Sequence, residues 1–231
     1  MQRWVGTLVF MFVALNLAAV ASQFGGAKRA GPPGLTEVVI ATLSLQGASL
    51  PLFMWLVRSN GMNWNEAFGL WHRRCRSIGQ GLALGLVALP VLWALQLACA
   101  HVLQRSGWQA KPQTMVEVFL KTAELPGQLY LTFAAVILAP ISEELFFRGV
   151  LYPALKRQFS RSLALAAVAL LFAAAHAHAA TFLPLGLFGL GLTLLYERTD
   201  NLLAPIAAHA TFNAGNVVML IAAERLHWFP Q

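Results

Sequence analysis

Two carboxylates and a guanidinium stand inside an apolar run, in Pro140-Ile141-Ser142-Glu143-Glu144-Leu145-Phe146-Phe147-Arg148-Gly149. From Tyr130 onward no other charge occurs until Lys156-Arg157 close the run. A helix through this stretch is roughly 42 Å long at about 1.5 Å per residue, enough to cross a bilayer. Each Glu or Arg near its middle costs roughly 2.5–3.5 kcal/mol on insertion. The charges must therefore meet partners, one another, or water inside a bundle. Glu144 and Arg148 stand at i,i+4 and share a helix face. Glu143 points about 100° away from Glu144 and has no local cation. A tied carboxylate beside a free one predicts a division of labour: Glu144 and Arg148 form a structural ion pair, and Glu143 is left for chemistry.

Other polar groups interrupt later apolar runs. His176 ends Phe172-Ala173-Ala174-Ala175-His176, and His178 follows it. His209, Asn213 and Asn216 recur at i, i+4, i+7, a polar stripe that must face the inside of a bundle. Taken singly, such residues serve most often as hydrogen-bond glue between helices. Together with Glu143, on three separate apolar segments, they form a candidate reaction centre. A carboxylate in an apolar, water-limited setting can serve first as base and then as acid. With a histidine it can hold and deprotonate a water, while a second histidine and an amide donate to an oxyanion. No serine or cysteine stands with them as a nucleophile. The chemistry implied is water-mediated hydrolysis of an acyl or peptide bond, with Glu143, His176, His209 and Asn213 as the catalytic set. Metal activation is the competing version, because Glu143, His176 and His209 are competent zinc ligands. No H-E-x-x-H spacing is present, and the sequence leaves both routes open.

Glu143-Glu144-x-x-x-Arg148, Phe172-x-x-x-His176 and His209-x-x-x-Asn213 resemble the three motifs of the CAAX-protease and bacteriocin-processing intramembrane endopeptidases, the group of the type II CAAX prenyl endopeptidase, or Abi family. The resemblance spans about Tyr130 to Leu220. It implies that Glu143 activates water with His176, and that His209 and Asn213 support the oxyanion or bind the water. It implies a membrane-associated protein or peptide as substrate and a bacterial plasma membrane as location. Members are described both as metalloproteases and as glutamate proteases, so the resemblance leaves zinc or no cofactor equally open. A non-enzymatic immunity or scaffold protein of the same fold, or a small proton-coupled transporter, would carry the same charges.

The elements that must position these groups are membrane helices. Of 231 residues, 58% are hydrophobic and only 11% charged, against about 25% charged in soluble domains. This composition excludes a soluble core and predicts one all-α polytopic domain over residues 1–231. Apolar runs predict about seven spans: Val5–Ala21, Leu35–Val57, Gly79–Val102, Tyr130–Leu155, Leu163–His178, Phe182–Tyr196 and Leu202–Ala222. The first is expected as a retained span, with a cleaved signal peptide as the alternative. Between spans two and three, Trp64, Phe68 and Trp71 predict a short interfacial helix, and Met115 to Leu120 a short surface helix. The net charge of +7 comes from arginines and lysines in short loops, which points to membrane orientation rather than nucleic acid. Cys75 and Cys99 stand apart and form no metal spacing. As straight rods, the fourth and fifth spans leave Glu143 and His176 at different depths, which predicts a tilted or protruding fourth span, broken near Pro140.

Overall fold

A computed structural model describes residues 33–43, 48–108 and 113–226. Among them all regular structure is helical: α1 (Leu35–Thr42), α2 (Ala48–Ser59), α3 (Trp64–Phe68), α4 (Arg74–Arg105), α5 (Thr114–Lys121), α6 (Leu125–Gln158), α7 (Arg161–Ala175), α8 (Ala179–Thr199) and α9 (Leu203–Arg225). α4, α6, α8 and α9 are long and apolar enough to cross a membrane, and α7 is a shorter apolar helix. The chain is an all-α integral membrane protein. The expected first span lies outside the described residues. The second falls on α1 and α2, described as two short helices on either side of residues 44–47.

α6 is not broken at Pro140. It runs on for 34 residues and widens into π-helix at Ala134–Leu138 and again at Leu145–Leu151. The widened turn before Pro140 takes up the mismatch that proline introduces, so the break predicted for this point is replaced by a change of register. α6 and α7 form a tight hairpin through Phe159 and Ser160, with the Ser160 hydroxyl capping α7 by accepting from Leu163 N. Glu197 near the end of α8 clasps the base of this hairpin. Its carboxylate accepts from Tyr152, from Lys156 at 2.5 Å and from Arg161 at 2.8 Å.

The hairpin resolves the depth problem. Glu143 stands fifteen residues before Gln158, where α6 ends, and His176 fifteen after Arg161, where α7 begins. Counted from the shared turn, the two are level. α7 stops at His176 because Ala177 adopts a left-handed conformation, φ 49°, that an L-residue with a Cβ takes up only under strain. α7 is about 22 Å long, less than a hydrocarbon core of about 30 Å.

α9 packs along α4, where Gly81 and Gly85 admit the α9 backbone. A Cβ on Gly81 would strike the Ala204 carbonyl oxygen, and one on Gly85 would come within 2.6 Å of the Ala208 carbonyl oxygen. The Leu89 side chain fills the space left by Gly215. α3 is shorter than the Trp64–Trp71 pattern predicts. Asn63 and Glu66 form a capping box at its start, and Gly69, φ 66°, ends it. Its Phe68 turns inward and occupies the space beside Gly149 in the charged motif. α5 appears where the short surface helix is expected, with Val118 and Phe119 buried against Val38 and Leu131.

The α4–α9 contact gives the first prediction. Gly81→Ala and Gly85→Ala will each lower the melting temperature in detergent, by about 1–3 kcal/mol of overpacking. Gly79→Ala, on the same helix with nothing within 4 Å, will melt at or above the wild-type temperature.

Candidate active site

Two carboxylates, adjacent in sequence, have opposite surroundings. The Glu144 and Arg148 side chains are both 0% exposed and joined at 2.7 Å. The same Glu144 Oε1 accepts from His209 Nδ1 at 2.8 Å. Arg148 gives two further donors to α8, Nη2–H to the Gly189 carbonyl at 2.8 Å and Nε–H to the Thr193 hydroxyl at 3.3 Å. Its guanidinium also lies 4.7 Å from the centre of the Phe172 ring, a desolvated cation–π contact. One carboxylate therefore ties α6 to α8 through arginine and to α9 through histidine. The expected Glu144–Arg148 pair is present; His209, grouped by sequence with Glu143, bonds Glu144.

Glu143 and His176 face each other outside this sealed core. Each side chain is 28% exposed, and Glu143 Oε2 lies 4.0 Å from His176 Nε2. His176 Nδ1 lies 2.8 Å from the Phe172 carbonyl oxygen. A carbonyl only accepts, so Nδ1 carries the hydrogen, and in the neutral ring Nε2 is left with its lone pair. Glu143 Oε2 has no hydrogen-bond partner. Phe172 separates the two histidines, with ring centres 4.9 Å from His176 and 5.6 Å from His209. Gly189 leaves room for that ring, since a Cβ there would sit 3.0 Å from Phe172 Cδ1.

Asn213 lies on the same α9 face as His209 but is engaged elsewhere. Its Nδ2 donates to the Ala135 carbonyl at 2.8 Å. The reason lies in Pro140. In the π segment Ala139 N reaches back five residues to Ala134 O. One residue on, that register assigns Ala135 O to residue 140, which as proline has no N–H. The Asn213 amide replaces the missing donor. Asn216, the third member of the stripe, accepts from Trp93 Nε1 at 2.7 Å and holds α9 to α4. His178 begins α8 beside Thr181. Sequence reasoning missed Gly189, Thr193 and the Ala135 carbonyl; only the small residues of α8 hinted at the first.

Zinc at a catalytic centre takes three protein ligands and an open position. Among the described residues no three His, Cys, Asp or Glu side chains stand together as a metal-binding group. Glu143 and His176 supply two donors; His209 gives its Nδ1–H to Glu144 and keeps Nε2 as a ligand atom, but it does not stand with them as a three-residue group. This donor set does not fit a three-ligand zinc, and no chemical step below passes through a metal.

Two stability predictions follow from the network. Arg148→Ala strands a buried carboxylate, so folded yield and melting will fall by roughly 3–5 kcal/mol. Asn213→Ala leaves the Ala135 carbonyl without a partner and will cost about 1–3 kcal/mol. Adding Pro140→Ala restores an N–H at that position, so the double variant will melt closer to wild type than Asn213→Ala alone. Thermal unfolding in detergent reads all three.

One comparison with known proteins matches this part of the chain. A family model described as type II CAAX prenyl endopeptidase Rce1-like matches residues 125–215, the stretch from the start of α6 into α9 that holds every residue of the candidate site. No curated protein and no solved structure matches the chain. Residues 125–215 are thus similar to the Rce1-like type II CAAX prenyl endopeptidases, a family of membrane proteases.

Proposed function

We propose that the protein hydrolyses a peptide bond of a membrane-associated protein or peptide with a water held between Glu143 and His176. The observation that carries this reading is the 4.0 Å gap between Glu143 Oε2 and His176 Nε2. Both atoms are acceptors when the ring is neutral, and the gap is too long for a direct hydrogen bond. A water between them can give one hydrogen to each. Its oxygen lone pair then faces an incoming carbonyl.

The water oxygen attacks the scissile carbonyl carbon while Glu143 takes its proton. The carbonyl electrons move onto the oxygen, and Glu143 returns the proton to the amine nitrogen as the C–N bond breaks. The oxyanion needs donors. His209 gives its Nδ1–H to Glu144, and it donates to an oxyanion only when Nε2 also carries a hydrogen. Asn213 has a second amide hydrogen beyond the one spent on Ala135. Zinc would offer a different way to activate the water, and it calls for a ligand beyond the two that face each other here.

Orientation follows from charge. Arg73, Arg74 and Arg76 at the start of α4, Lys156, Arg157 and Arg161 around the α6–α7 turn, and Arg198 at the end of α8 gather at one end of the bundle. In a bacterial plasma membrane that end faces the cytoplasm. A prenylated CAAX-like tail, a bacteriocin-type leader or another membrane-anchored segment is the substrate class.

Glu143→Gln will abolish cleavage of a reporter peptide by purified protein, a loss of at least about 10²–10⁴-fold as expected for a missing general base. Retained cleavage would end the mechanism. Wild-type cleavage that stops with chelator and returns with zinc would assign the attack to a metal-bound water instead.

A further inference from the structure

A cavity of about 140 Å³ opens at the basic end of the bundle, far from Glu143 along the helices. It lies between the first turns of α4 and the last turn of α8. Among its walls are His72, Arg73, Arg76, Ser77, Arg198 and Asp200. A single water needs only about 10–15 Å³, so the space suits a larger polar group. Backbone latches hold its shape: Asn201 Nδ2 donates to the His72 carbonyl at 2.7 Å, and Leu202 N to the Phe68 carbonyl at 3.0 Å.

Three features favour an anion there. Arg73, Arg76 and Arg198 have no ion-pair partner among the described residues; Asp200 is the one carboxylate in the wall. The α4 helix starts at Arg74 with no side-chain cap, so its first N–H groups and the positive end of its dipole are uncompensated. Ser77 is only 2% exposed, lines the cavity, and its hydroxyl has no hydrogen-bond partner among the described residues. A cavity-lining hydroxyl with no protein partner, beside unpaired guanidiniums, is what a phosphate oxygen completes.

The surroundings are those of a membrane surface. Trp71 is exposed, with the Arg74 guanidinium 5.2 Å from its ring centre, as in an interfacial aromatic belt. Further along α4, Leu82, Leu86 and Val87 are exposed and apolar, a wall against which acyl chains can lie. We propose that this cavity binds the phosphate of an anionic lipid headgroup from the leaflet at the basic end, and so seats α4 against α8 at a defined depth.

Native mass spectrometry of the detergent-purified full chain, with phosphatidylglycerol or phosphatidylcholine added, tests the assignment. Wild type will retain one phosphatidylglycerol in preference to phosphatidylcholine. Arg76→Gln and Arg198→Gln will each weaken retention about fivefold. Ser77→Ala, which changes no charge, will also weaken it. Arg157→Gln, a basic residue at the same end but outside the cavity, will retain the lipid as wild type does, and melting curves will confirm that each variant is folded. Equal retention of the two lipids, or an equal loss in Arg157→Gln, would overturn the site in favour of a diffuse basic surface. Displacement of the lipid by millimolar inorganic phosphate would overturn the lipid assignment in favour of a free-phosphate site.

Discussion

A carboxylate without access to water governs this bundle. Glu144 is sealed with Arg148 and His209 on one of its oxygens, and Arg148 is in turn fixed to Gly189 and Thr193. Neither charge can be left alone in an apolar interior, so the three helices that carry these groups must come together in one register. Phe172 closes the remaining face of the guanidinium and brings α7 into the same cluster. The proposed chemistry sits on the rim of this knot. Glu143 is one residue earlier on the same helix, about 100° around it. Fixing Glu144 inward therefore turns Glu143 toward the half-exposed side, where His176 meets it.

Much of this was legible from residue types and spacing. Charges in an apolar run demand internal partners, and i,i+4 geometry selected Arg148 for Glu144. The same reasoning left Glu143 without a cation on its own helix face; its Oε2 has no hydrogen bond, and neither has Glu144 Oε2, whose carboxylate is bonded through Oε1 alone. The His209–Asn213–Asn216 stripe faces the bundle as the period requires, with each member bonded to another helix.

What the sequence hid were relations between helices. Spacing along α9 says that His209 faces inward but not which of two adjacent carboxylates it meets. The level of Glu143 with His176 depends on where the α6–α7 turn falls, and hydropathy alone extended the fifth span three residues past the end of α7. A left-handed Ala177 is what stops it, and an alanine gives no warning of that. Pro140 read as a break because proline removes a donor. The rescue comes from an amide 73 residues later in the chain, the Asn213 that sequence had placed in the catalytic set. Phe68 looked like one face of a lipid-facing helix, yet it fills the space beside Gly149.

The central claim is that two neighbouring glutamates divide structure from chemistry, and thermal melting of Glu143→Gln beside Glu144→Gln in the same detergent tests it most directly. The account predicts that Glu143→Gln melts within about 0.5 kcal/mol of wild type, since it alters a group bound to no helix. Glu144→Gln will lose roughly 3–5 kcal/mol, because Arg148 remains buried without its counter-charge. Equal losses in the two variants, or a larger loss in Glu143→Gln, would contradict the account.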